Sequence, residues 1–514
     1  MTRSWKLLGL VASGLAFRLV LLFAAERRLD ADESLVALMG LDVLAGRSHP
    51  FFAYRTTYDG GGALEAYLSA FGFAAFGDAP WVPKLMVLGV WTVAALIFAD
   101  LCRRELPRPR ALLATLFFCV GTPFFLEWSM KARGGYEETV LVSLLLLWLA
   151  GWPRLGSRPL ATGALFGTIA GLGLWISEML LPLLPGALLW LVVKRPSTER
   201  RRLAAGLAIG AATGLLPLLF YDLTHAWAHL RTSVVARLLL ESGRPLSGRA
   251  LRDSAAFVLG PGYGLALLAF ASAAVRLARG PHRLRIDHVF ALDLLLFAVG
   301  FWLGGLRYLS VPPSRVLFQA YPSVAVLLAV ALEAPSAWPR AARALAAAVA
   351  VLWIGTVAVP TARWLRSGEP REAGSWRGSW SLVDAAALHH ELVRRGVKLA
   401  FTSYWTLWPL RFEAERAHRR APRMPKLRVS DALPRTPLPE GRRVAFVLQP
   451  ATPAFDRVER LLHTRGIAHQ RSEWRGYVIF SGIESAAVHV GAGFPASLVR
   501  NALPRPPPVP DGFN

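Results

Sequence analysis

The sequence predicts an α-helical polytopic membrane protein of about eleven transmembrane helices, with a small α/β domain near its C-terminus. Three observations carry this. The 514 residues are 54% hydrophobic with a mean hydropathy of +0.39, above what soluble domains usually reach, and the apolar residues gather in long runs. Lys and Arg collect in alternate connections between those runs, as expected of a chain that crosses a bilayer repeatedly. After about Ser381 the long runs stop, and short apolar strands alternate with helical stretches.

Runs long enough to span lie near 7–25, 82–101, 111–128, 137–151, 161–177, 179–193, 203–220, 255–275, 288–305, 316–332 and 344–360. The first follows Arg3 and Lys6 and resembles a signal peptide in outline. Its apolar part is long, and Phe23-Ala24-Ala25 is a poor cleavage site, so it reads as an uncleaved first span. With the N-terminus cytoplasmic, the inside loops hold Arg103, Arg104, Arg108 and Arg110, then Arg154 and Arg158, then Lys194 to Arg202, Arg276 to Arg285, and Arg340 and Arg343. An odd number of spans places the C-terminus outside. Eighteen Trp suit interfacial belts.

The net charge of +24 would point to nucleic acid in a soluble protein. Here the charge sits in loops between spans, so topology and anionic membrane lipid account for it and no nucleic acid is expected. The two cysteines, Cys102 and Cys119, sit in or beside apolar runs, which argues against a disulfide and offers no zinc set. No P-loop, Rossmann glycine fingerprint or nucleophile elbow is present, so nucleotide chemistry is not indicated.

The outside segments are residues 26–81, 129–136, a turn at Glu178, 221–254, 306–315 and everything after about Thr361. The first is long, and its apolar stretch Ala63 to Phe76 reads as an interfacial helix. The tail predicts a helix over 382–395, strands at 397–401 and 444–448, a helix over 455–465 and a strand at 477–480. The domain division is therefore a membrane module over 1–360, whose first outside loop is 26–81, an α/β domain over 381–484, and a Pro-rich tail over 485–514.

Four constellations stand out. Asp30, Asp32 and Glu33 follow the first span; they also suit the first turn of a helix running through Leu35, Leu38 and Leu41. The same loop carries Asp59 beside three glycines that admit close backbone approach, then Glu65 and Tyr67. Lys131-Ala132-Arg133-Gly134-Gly135-Tyr136-Glu137-Glu138 forms a tight turn before the fourth span. Its cations and glycines suit a phosphate cradle, its carboxylates a helix N-terminus, and Arg133 an i,i+4 pair with Glu137. Arg307-Tyr308 through Arg315 lies at the outside end of a late span, its arginines readable as snorkelling anchors or phosphate ligands. His225 and His229 have metal-ligand spacing without an evident acidic partner, and Glu178 reads as an ordinary turn residue.

In order and sidedness these motifs resemble the membrane-embedded GT-C glycosyltransferases, and most of all the bacterial, glycosyltransferase-family-39-like branch similar to protein O-mannosyltransferases and the lipid A aminoarabinose transferase. The matching stretches are Asp32-Glu33 after the first span, Tyr58-Asp59-Gly60-Gly61-Gly62-Ala63-Leu64-Glu65-Ala66-Tyr67, the turn at 132–138, and Arg315-Val316-Leu317-Phe318-Gln319-Ala320-Tyr321-Pro322. They cover roughly residues 1–335; the tail departs from the better-known relatives. The resemblance implies a polyprenyl-phosphate-linked sugar as donor, an envelope glycan, lipid or protein as acceptor, and inverting transfer at the periplasmic face of the bacterial inner membrane. It implies Asp32 as general base and Glu33 as its support, with Arg133 and Arg315 on the donor phosphate and Lys131, Glu137, Glu138, Asp59, Glu65 and Tyr67 lining the site. No cofactor or resident metal is expected, and whether a divalent cation takes part stays open. The rival reading is a transporter or flippase of lipid-linked saccharide. Transporters place ionisable groups near the bilayer midplane, whereas the acidic residues here concentrate at the outside surface. A third reading is a non-catalytic partner whose tail binds glycan or protein.

Overall fold

The structure is a computed structural model. It describes residues 5–25, 27–54, 56, 60–152, 158–233, 284–303, 318–332, 340–367, 384–423, 426–431, 443–450 and 452–489, with isolated positions between 271 and 278. The chain folds as two compact units. One comprises Met1–Arg27, His49–Gly72 and Trp81–Gly374; the other comprises Arg28–Ser48, Phe73–Pro80 and Ser375–Asn514.

The first unit is helical. Its helices are α1 (Trp5–Ala24), most of α3 (Gly60–Phe76), α4 (Trp81–Glu105), α5 (Arg108–Val120), α6 (Pro123–Trp128), α7 (Tyr136–Ala150), α8 (Pro159–Ile176), α9 (Leu184–Val193), α10 (Arg200–Thr224), α11 (Ala228–Thr232), α12 (Ile286–Leu303), α13 (Tyr321–Leu332) and α14 (Arg340–Ser367). The helix α2 (Ala31–Leu44) belongs to the second unit. Among the described residues, four helical stretches are long and apolar enough to cross a membrane: Trp5–Ala24, Trp81–Glu105, Pro159–Ile176 and Ser197–Thr224. These match expected spans, and the chain is a membrane protein. The expected span at 111–128 is broken. Gly121 turns the chain at φ +67° and the Thr122 side chain caps α6. The expected span at 179–193 begins instead with a 3₁₀ turn, Glu178–Leu183. Most of the expected span at 255–275 lies outside the described residues.

Two features of this unit follow from unusual residues in apolar helices. Arg18 lies inside α1 and is fully buried. Its guanidinium donates to Ser129 Oγ (2.8 Å), Cys119 O (2.6 Å) and Gly14 O (3.3 Å) and lies 3.8 Å from the centre of the Trp91 ring. A cation held by backbone carbonyls, a hydroxyl and an aromatic face avoids much of the penalty of burial away from water. It ties α1 to α4, α5 and the turn after α6.

The second feature is a glycine seam. Gly163, Gly167 and Gly171 recur at every fourth position of α8, and Gly206, Gly210 and Gly214 do so on α10. A Cβ at Gly167 would stand 2.4 Å from Leu207 O, and one at Gly210 would stand 2.0 Å from Ala164 O. The two backbones are therefore in contact. In lipid, where apolar area alone gives little drive to associate, such close packing is what holds helices together.

The second unit contains a five-stranded sheet in the order β2-β1-β3-β5-β4. Its elements are α15 (Ala385–Arg394), β1 (Leu399–Thr402), α16 (Tyr404–Arg420), β2 (Arg428–Ser430), β3 (Arg443–Leu448), α17 (Pro453–Thr464), β4 (Gln470–Trp474) and β5 (Tyr477–Glu484). β1 is parallel to β2 on one side and to β3 on the other, while β5 is antiparallel to β3 and β4. Phe401, Phe446 and Phe480 from three strands pack with Phe455, Val458 and Leu462 of α17. The sequence foresees α15, β1, β3, α17 and β5. It misses α16, which carries Pro409 in its second turn, and the short or polar edge strands β2 and β4.

Candidate functional site

The residues singled out by sequence form local groups in both units. In the second unit, Asp30 is the N-cap of α2. Its Oδ1 accepts from Glu33 N (3.0 Å), and Glu33 Oε2 accepts from Asp30 N (3.0 Å). This reciprocal capping box satisfies two backbone donors that a helix start leaves open. Glu33 is fully buried, so its observed bond serves the helix end. Asp32, one residue earlier and partly exposed, accepts at Oδ1 from the Tyr404 hydroxyl (2.7 Å), across 372 positions of sequence. Its other oxygen, Oδ2, takes no hydrogen bond among the described residues.

The helix α16 runs alongside α2. At its far end Glu415 accepts from Arg47 (2.6 Å), which also donates to Asp42 (2.7 Å), and Lys426 reaches Glu415 from the other side. Arg419 donates to Leu41 O (3.4 Å). Burial would raise the Glu415 carboxyl, but Lys426 and Arg47 outweigh it and hold the group below its ordinary range.

In the first unit, the turn at 131–138 has the backbone of an anion nest. Gly134 (φ +97°) and Gly135 (φ +79°) are both left-handed, and their N–H groups converge. The anion they hold is internal: Glu65 of α3 accepts from Gly134 N (2.9 Å) and Gly135 N (2.8 Å). A Cβ at Gly61 would lie 2.2 Å from Gly135 Cα, so Gly61 is needed where α3 meets this turn. Lys131 is buried and pairs with Glu127 (3.0 Å). Arg133 lies against the Trp128 ring (4.7 Å). The expected pairing of Arg133 with Glu137 along a helix is not formed. The helix α7 starts only at Tyr136, and the buried Glu137 carboxylate has no hydrogen-bond partner among the described residues. Glu138 is buried beside it. Tyr67, on α3, is 38% exposed and does not join the nest. Asp59, Arg307 and Arg315 lie outside the described residues.

His229 finds two acidic partners, Asp222 seven positions upstream and Glu178 farther back in the chain. It lies between Glu178 (3.3 Å) and Asp222 (3.4 Å) and is stacked on Phe52. Burial would lower its pKa, but the two carboxylates outweigh this and raise it above the ordinary histidine range. His225 instead meets Thr224 Oγ1 (2.9 Å) and Tyr221 O (3.0 Å). Among the described residues, no group of three or more His, Cys, Asp or Glu is arranged to hold a metal ion. Sequence reasoning missed Arg18 and Tyr404. Arg18 carries a signal, a lone cation in an apolar run, whereas Tyr404 carries none.

The fold resembles that of solved structures of ArnT. The solved structure of ArnT from Cupriavidus metallidurans bound to undecaprenyl phosphate superimposes with a TM-score of 0.58 at 14% identity, covering 93% of this chain and 98% of that one. The apo structure of ArnT gives a TM-score of 0.59 at 12% identity, covering 98% of this chain and all 100% of the other. An Archaeoglobus fulgidus oligosaccharyltransferase aligns at a TM-score of 0.48 and 12% identity, covering 81% of this chain and 64% of its own. No protein-family model and no curated protein matches the sequence.

Proposed function

We propose that this protein is an inverting glycosyltransferase that moves a sugar from a polyprenyl-phosphate donor to an envelope acceptor at the periplasmic face of the inner membrane. The observation that carries the reading is Asp32. It sits at the start of a capped helix just after the first span, with one carboxylate oxygen held by Tyr404 and the other without a hydrogen bond among the described residues, in a chain whose fold resembles that of ArnT. The undecaprenyl phosphate bound in the ArnT structure supports a lipid-linked donor.

A sugar hydroxyl is a weak nucleophile. A carboxylate beside it takes its proton as the new bond forms, which contributes about 10²–10⁴-fold in rate. Base and leaving phosphate then stand on opposite faces of the anomeric carbon, which inverts its configuration. Arg133, planar and always charged, suits a phosphate gaining negative charge, and Arg315 is proposed to share that role. The Glu65-held turn carries Arg133 and keeps it in place.

The test is mass spectrometry of envelope glycans and glycolipids from three strains of the source organism: wild type, a null, and Asp32→Asn at normal protein level. The null and Asp32→Asn are expected to lose the same sugar from the same acceptor. A sugar lost in the null but kept in Asp32→Asn removes Asp32 as the base and favours a flippase.

A further inference from the structure

We infer that Tyr404, from the C-terminal α/β unit, is a positioning residue for transfer: its hydroxyl pins one oxygen of Asp32 so that the other faces the acceptor. The inference rests on the reading of Asp32 as the base.

The geometry is specific. Tyr404 is the first residue of α16, directly after Ser403 and the end of β1. β1 has β2 on one side and β3 on the other, both parallel to it. The chain therefore leaves β1 to one side and returns on the other. In open α/β sheets the carboxyl end of a strand at such a reversal is where ligand-facing residues collect. Here that place presents a phenol to a carboxylate at 2.7 Å.

The orientation is fixed by a second set of contacts. Arg47 with Glu415, and Arg419 with Leu41 O, hold the far ends of α2 and α16 together. A carboxylate in a first helical turn can rotate about its side-chain torsions. One short hydrogen bond to Oδ1 removes that freedom and leaves Oδ2 as the basic oxygen.

In the step, Oδ2 takes the acceptor hydroxyl proton and the acceptor oxygen bonds to the anomeric carbon. The bond from that carbon to phosphate oxygen breaks, and polyprenyl phosphate leaves with the electron pair. Tyr404 keeps its own proton throughout.

The experiment compares wild type, Tyr404→Phe, Asp32→Glu, Asp32→Asn and the double variant Asp32→Glu with Tyr404→Phe, all as the full chain in detergent. Serial dilutions of a total lipid extract from source membranes supply the donor, and a washed envelope fraction supplies the acceptor. Released polyprenyl phosphate is read by mass spectrometry. Tyr404→Phe is expected to keep its Tm and its apparent donor KM while kcat falls about tenfold. In Asp32→Glu, where the carboxylate is displaced by one methylene, adding Tyr404→Phe is expected to change kcat far less, because coupled residues do not add. A rise in KM alone, a lowered Tm that accounts for the lost rate, or equal effects in both backgrounds would overturn the inference. If Tyr404→Phe is fully active while Asp32→Asn is dead, the inference fails and the base stands. If Asp32→Asn is fully active, the base assignment itself fails.

Discussion

Glu415 shows how much of this protein rests on single charged groups. It sits between Arg47 and Lys426, and its side chain is 5% exposed. Its pKa is held below the ordinary value, so it stabilises the fold above the unfolded value of about 4.3, and that contribution drains away as pH falls through the folded value. Glu415→Gln is expected to lower the Tm at neutral pH, with the gap to wild type closing as pH drops below about 4.3. Thermal unfolding followed at pH 7, 5, 4 and 3 checks this. A gap that stays constant with pH would mean that the charge of Glu415 is not what matters. The residue scale also shows where sequence reasoning is sound. Asp32 and Glu33 are adjacent and follow the first span, so they are legible as a pair. What they do locally is not: the capping box gives Glu33 to the helix end, and only the folded chain brings Tyr404 to Asp32. The glycine turn at 134–135 is legible as an anion nest, but the carboxylate that fills it lies 69 positions upstream.

At the scale of elements, the glycine seam between α8 and α10 makes the sharpest prediction. Ala164 O lies 2.0 Å from where a Cβ would stand at Gly210, so any side chain there must push the helices apart. Gly210→Val is expected to cost about 1–3 kcal/mol or more through overpacking, read as a lower Tm in detergent. Gly9, whose Cβ would meet nothing within 4 Å, is the control: Gly9→Ala is expected to leave Tm unchanged. Equal effects at both positions would argue against close helix contact as the cause. The four-residue spacing of these glycines is visible in the sequence, though only pairing with a second such helix shows what it is for. The missed helix α16 has the opposite cause. Pro409 in its second turn and the six charged residues between Arg411 and Arg420 hide an otherwise buried apolar face, including Leu407, Trp408 and Leu410.

The whole molecule is described by two units that the linear chain does not separate. Residues 28–48, sequence neighbours of the first span, belong with the C-terminal sheet. The charge pattern bears on a different property of the whole, which is its sidedness. Both native cysteines are buried, Cys102 at 1% and Cys119 at 2% exposure, so labelling of introduced cysteines has little background. Ser197→Cys, in a basic loop, is expected to be labelled by a membrane-impermeant maleimide only after the cytoplasmic side is opened. Glu473→Cys, on the exposed edge strand, is expected to be labelled in intact spheroplasts. Labelling of Ser197→Cys in sealed cells would invert the proposed topology.

The contact between α2 and α16 also has a consequence during synthesis. Asp32 leaves the ribosome 372 residues before Tyr404. At about 5–20 residues per second, this leaves about 20–75 s in which α2 exists without the helix it lies along. A nascent chain that has not reached Tyr404 carries the acidic helix without the phenol that bonds its carboxylate. If Tyr404 acts as inferred, transfer reaches its full rate only once the polypeptide has been made past this residue.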